Sequence, residues 1–157
     1  MRKRVLTGTP IPKALACGVL EDGGRVLFLL KRDRNGIERI GLPCALVPSG
    51  RSPHADIKSE FERQTGIECQ VLEVIFQGRY NAGSRKRRSW IPALGFKIVA
   101  RNMRAKPAPE FSGFRWLKID DALGMRLERE SEWLKRREKE RGEEEGKRDQ
   151  SGPQEHA

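Results

Sequence analysis

Apolar residues come in short runs broken by polar, glycine-bearing turns, a pattern that predicts several strands and few helices. Residues 14–20 (ALACGVL) and 25–32 (RVLFLLKR) read as two strands of a hairpin turning at Glu21, Asp22, Gly23 and Gly24. The nearly unbroken apolar run in the second predicts a strand buried on both faces. A polar turn at 33–36 precedes a little extended structure at 37–40, and residues 42–52 read as a loop. Residues 68–80 and 89–100 form a second pair of strands around the cationic stretch NAGSRKRR at 81–88. Pro92 predicts that the first half of the returning strand is an edge or irregular. A strand at 110–119 leads into a short helix at 120–125, and a further helix is expected over 126–141, pinned by Trp133 and Leu134. Past Gly142 the chain is charged and free of aromatics, the composition of a disordered tail. The expected organisation is a basic arm at 1–12, a domain at 13–125, a C-terminal helix at 126–141 and a tail at 142–157.

The clearest helix lies between these strand pairs, at 53–65. Ser52 is placed to cap it, Pro53 suits its first turn and Gly66 its exit. Ile57 and Phe61, four residues apart, predict one face buried against a sheet. Asp56, Glu60 and Gln64 share a neighbouring stripe, and three oxygen-bearing side chains along one helical edge could offer a weak site for a hard cation such as Mg²⁺.

The segment LPCALVPSGRSPHADIKSEFERQTGI at 42–67 resembles the Nudix box, G-x5-E-x7-R-E-U-x-E-E-x-G-U with U a bulky aliphatic. Aligned without a gap, the first glycine falls on Ala45 and the early glutamate on Arg51. The core falls on Ser59, Glu60, Phe61, Glu62, Arg63 and Gln64, and the end on Gly66 and Ile67. A second family-like piece, EFSGFRWLKI leading into DDALGM, lies far from the box at 110–125. The resemblance implies an α/β fold, a Nudix-type α/β/α sandwich with a mixed sheet. It also implies a site where helix glutamates hold divalent cations on a pyrophosphate, and here only Glu60 keeps its carboxylate. Arg63 puts a cation where a ligand for a cation belongs, Gln64 offers a neutral oxygen, and Arg51 reverses another sign. Glu62 lies about 200° around the helix from Glu60 and cannot replace a lost ligand.

Charge sharpens the picture. The chain has a net charge of +10, and residues 1–125 hold 23 Lys/Arg against 12 Asp/Glu, so the globular part is the basic part. Such a field draws phosphates, nucleotides or nucleic acid, although an abundance of Arg, Lys and Glu also suits a thermophile. Arg85, Lys86, Arg87 and Arg88, with Arg79 before them and Trp90 after, combine cations with an aromatic as a nucleotide or RNA site would. A solvated hairpin loop is the plainer reading. Arg32, at a strand end, is either a further phosphate cation or a charge closing an apolar run. Cys17, Cys44 and Cys69 form no C-x-x-C pair and only two histidines exist, which argues against zinc and for reduced, buried thiols in a cytoplasmic protein. No run is long and apolar enough for a membrane span.

Two functions compete on these residues. One is a Nudix-like protein that binds a phosphorylated nucleoside or RNA, with hydrolysis weak or lost. The other is a divergent Mg²⁺-dependent hydrolase of a nucleoside diphosphate linked to another moiety, with Glu60 as main ligand and Asp56 and Gln64 assisting. Nothing in the sequence sets the oligomeric state.

Overall fold

The computed structural model describes residues 12–138, so the arm, save its last residue, and the charged tail lie outside the described residues. The chain order is β1 (Pro12–Asp22), β2 (Arg25–Arg32), β3 (Glu38–Gly41), β4 (Cys44–Pro48), α1 (Pro53–Thr65), β5 (Gln70–Asn81), β6 (Trp90–Val99), β7 (Gly113–Leu117), α2 (Ile119–Leu123) and a 3-10 helix, Arg129–Arg136.

β1 organises the sheet because its 11 residues change partners along their length. Its first half pairs with β4, antiparallel with Cys17 opposite Cys44, and Leu15 to Leu20 pair with β6, parallel with Leu15 opposite Ala93. Its end pairs with β2 only at Glu21↔Val26 and Asp22↔Arg25. β2 then serves a second ladder, antiparallel to both β3 and β7. β5 closes the other side, antiparallel to β6. Pro92 lies on β6 just before its parallel pairing with β1 begins at Ala93, so its missing N–H removes no bond from that ladder.

Both faces of the sheet are covered, which is why β1 and β2 read as continuous apolar runs. α1 packs Ile57 with Ala14, Ala16, Val47 and Phe96, and Phe61 with Leu20, Leu27, Ile67 and Ile98. On the opposite face Leu15, Val19, Phe28, Leu30, Tyr80 and Ala93 lie under Ala122, Leu127, Trp133 and Leu134. The α1 ends follow the sequence expectation. Ser52 accepts a hydrogen bond from the Ala55 amide, and Gly66, at φ 73°, donates its N–H to the Glu62 carbonyl.

Three expectations need correction. Residues 44–48 are a strand, not a loop: Ala45 and Val47 turn inward while Leu46 faces out. Of the helix predicted at 126–141, residues 139–141 lie outside the described residues, and the described part holds a 3-10 helix of 8 residues. Its approach is extended, because Ile40 donates to the Arg126 carbonyl and Glu128 to the Ile40 carbonyl, so 126–128 runs beside β3. The anchors are as expected, with Trp133 and Leu134 buried, and the Ser131 hydroxyl accepts from the Leu42 amide. The cysteines differ most. Cys17 and Cys44, directly opposed across β1 and β4, are joined in a disulfide, whereas Cys69 is free and buried. Registered neighbours in antiparallel strands meet closely, a proximity that residue spacing along the chain does not reveal.

Candidate functional site

Two clusters emerge, one on the α1 edge and one where the β5–β6 loop meets the 3-10 helix.

On α1, the carboxylate of Glu60 accepts hydrogen bonds from Arg63 Nε at 3.1 Å and from Gln64 Nε2 at 2.9 Å. Arg63 reaches beyond it, and its Nη2 lies 2.8 Å from Glu110 Oε2 on the segment before β7. The guanidinium is thus shared by two carboxylates. It holds the Glu110 carboxyl below the ordinary glutamate range, and those bonds keep the arginine more firmly charged. Gln64 also donates to the Cys44 carbonyl at 2.9 Å, so its amide nitrogen, assigned from these acceptors, faces the site.

One turn earlier, Arg51 forks onto buried Asp56, with Nε at 2.9 and 3.0 Å from the two carboxylate oxygens and Nη2 at 2.6 Å. Hydrogen bonding from Arg51 lowers the Asp56 pKa, more than offsetting the opposite push of burial. Glu62 turns away, as the helical angle requires, to Lys58 Nζ at 2.7 Å and the Cys69 amide at 2.9 Å. His54 spends its ring on the Leu72 carbonyl, at 2.9 Å, and on the edge of Phe96.

This edge does not fit a divalent ion. Mg²⁺ takes carboxylate, carbonyl and water oxygens. Here Asp56 is committed to Arg51, Gln64 presents a donor, and Glu60 faces a permanent cation. Among the described residues no group of three or more His, Cys, Asp or Glu is placed to hold a metal ion.

The second cluster begins at the open end of β5 and β6, where Asn81 pairs with Trp90. Asn81 shapes the loop by accepting from the Gly83 and Ser89 amides at 3.0 and 2.9 Å. Arg129 on the 3-10 helix fastens its root, donating from Nη2 to the Asn81 and Gly83 carbonyls at 2.8 and 2.6 Å while lying 5.4 Å from the Tyr80 ring centre. Arg79 lies over Trp90 at 5.1 Å, yet Trp90 is still 44% exposed. Between loop and helix opens a cavity of about 320 Å³, walled by Arg85, Arg88, Trp90, Arg129, Trp133 and Arg136 among others. Among the described residues the buried Trp133 indole N–H has no hydrogen-bond acceptor. An unpaired buried donor costs roughly 1–3 kcal/mol.

Of the residues singled out in the sequence, Arg85, Arg88 and Trp90 converge on this cavity, with Arg79 stacked beside it. Lys86 and Arg87 are exposed on the loop and do not line it. Arg32 does not join either; it stands at the end of β2, 3.7 Å from Glu38. Sequence reasoning missed Glu110, 47 residues from its partner Arg63, and Arg129 and Arg136, which lie outside the family-like part. The recurrence of Arg129, Trp133 and Arg136 at three- to four-residue steps was the available signal for the last two.

No family model matches the sequence, and no curated protein does. Solved structures match the fold. The solution structure of the E. coli ORF135 protein superposes with a TM-score of 0.61 at 16% identity, over 78% of this chain and 85% of that one. The MutT protein from Methanosarcina mazei gives 0.56 at 15% identity, over 82% and 91%. The NUDIX domain of Shewanella oneidensis NrtR, complexed with ADP-ribose, gives 0.54 at 15% identity, over 80% and 85%. At such identities the likeness is one of architecture.

Proposed function

From a chain with the Nudix fold, we propose a protein that binds a phosphorylated nucleoside or RNA and has little or no pyrophosphate hydrolysis. One observation carries this reading: the Arg63 guanidinium stands between Glu60 and Glu110, where the resemblance would place a divalent ion among carboxylates. Metal-assisted phosphoryl chemistry needs that ion to neutralise developing charge and to supply a nucleophile. A guanidinium answers part of the first need and none of the second. The fold lends support to a nucleotide ligand, since the NrtR domain is complexed with ADP-ribose.

The rival reading is a divergent hydrolase with Glu60 as main ligand, and the approach of Glu110 to the same edge favours it. A nucleotide panel incubated with Mg²⁺ or Mn²⁺ separates the two. Binding of nucleotides or RNA without turnover is expected; metal-dependent turnover abolished by Glu60→Gln would replace this reading with the hydrolase. The cytoplasmic location expected from the sequence and the Cys17–Cys44 bond pull in opposite directions, because disulfides are rare in reducing compartments.

A further inference from the structure

We infer that the cavity between the β5–β6 loop and the 3-10 helix is the ligand site, and that it takes one nucleotide carrying two or three phosphates. The inference rests on the binding reading above and adds the place and the chemistry.

The cavity's size fits a small ligand: about 320 Å³ lies at the low end of small-molecule sites, roughly 300–1,000 Å³. Its charge fits a phosphate chain. Arg85, Arg88, Arg129 and Arg136 face one carboxylate, Glu132, which Lys135 meets at 3.6 Å. Among the described residues Arg85, Arg88 and Arg136 make no ion pair, whereas the arginines of the α1 edge are paired with carboxylates. Three unpaired guanidiniums converging on one opening match a ligand with about three negative charges, and guanidinium forks suit phosphate oxygens.

The fourth arginine has a different task. Arg129 is spent on the Asn81 and Gly83 carbonyls, so it acts as a positioning residue that fixes the loop bearing Arg85 and Arg88. Trp90 supplies the base platform: it is held by Arg79 and exposed at the same opening. Stacking on an aromatic accepts any base, which leaves phosphate charge as the main discriminator. The chemistry is the same for a free nucleotide and for the triphosphorylated 5′ end of an RNA.

The test is titration calorimetry of the full chain at two salt concentrations. The probes are adenosine, AMP, ADP, ATP and a short RNA with either a 5′-triphosphate or a 5′-hydroxyl. Affinity should rise from adenosine to ATP and fall with salt. Arg85→Ala/Arg88→Ala should weaken ATP at least tenfold, and Trp90→Ala by roughly 5- to 150-fold. A control with the same charge loss elsewhere, Arg34→Ala/Arg101→Ala, should change affinity less than threefold. All replaced side chains are exposed, and matching thermal melts confirm folding. Tighter binding of triphosphorylated RNA than of ATP assigns the site to an RNA end; the reverse assigns it to a free nucleotide. If a probe binds but the pocket variants do not weaken it, the pocket is wrong and the binding reading stands. If no probe binds the wild-type chain, both fall.

Discussion

Replacing Arg63 and Gln64 together by glutamate should convert the α1 edge from an ion-paired surface into a cation site. In the wild type a divalent ion at Glu60 would meet the Arg63 guanidinium. At about 4 Å the repulsion is roughly 2 kcal/mol in a water-like dielectric and roughly 8 kcal/mol at an effective dielectric near 20. The Arg63 side chain is 51% exposed, so the smaller figure applies. Removing it alone strengthens binding about 30-fold, and an attraction of similar size from each of the two new carboxylates brings the gain to the order of 10,000-fold. The variant loses the Arg63 pairs with Glu60 and Glu110, about 0.2–1 kcal/mol each, and should melt a few degrees lower until the ion is added. Calorimetric titration with Mn²⁺, beside melts with and without it, reads both effects. Equal Mn²⁺ affinity in wild type and variant would refute the electrostatic account, as would a variant that binds no ion.

Four further outcomes follow from the packing, the charges and the cysteines. Gly78→Ala places a methyl about 2.7 Å from the Trp133 ring, so overpacking should cost roughly 1–3 kcal/mol in urea unfolding and loosen the 3-10 helix, which tryptophan fluorescence would report. Asp56 has a lowered folded pKa through Arg51, so its contribution is fully present above its ordinary value of 3.8 and disappears as pH falls through the folded value. Asp56→Asn should therefore flatten the acid side of the melting curve below about pH 4, and an unchanged curve would contradict the pairing. Cys17→Ser/Cys44→Ser opens a crosslink spanning 27 positions and should lower stability by about 3.5 kcal/mol on the loop-entropy scale. Burial pushes the Cys69 thiol up to about 11, so alkylation near neutral pH should require unfolding. Mass spectrometry of the native chain should then show no modified cysteine.

The parts legible in the sequence were those set by local chemistry. Ser52, Pro53 and Gly66 delimit α1 because capping and left-handed geometry are read from single residues, and the two-sided burial of β2 is written in its apolar run. β4 escaped because its five residues carry a buried pair around exposed Leu46 and end on Pro48, too weak an alternation to separate from a loop. The 3-10 helix escaped because its geometry is set by distant partners, the Ile40 strand edge and the Leu42 amide. The same limit governs the sites. The sign reversal at Arg63 is visible in the chain, but that its charge is taken up by Glu110 is a tertiary fact. The basic loop is visible too, whereas its clasp by Arg129 and the pairing of Arg32 with Glu38 are tertiary contacts.

The Glu60–Arg63–Glu110 contact also changes what holds the segment before β7 in place. That segment docks on α1 through the Lys106 and Ala108 amides, which donate to the Thr65 and Gln64 carbonyls, and through Glu110. A cation built into the polypeptide cannot be stripped by a chelator or diluted below saturation. The neighbourhood of α1 is therefore assembled when the chain folds, without waiting for a divalent ion.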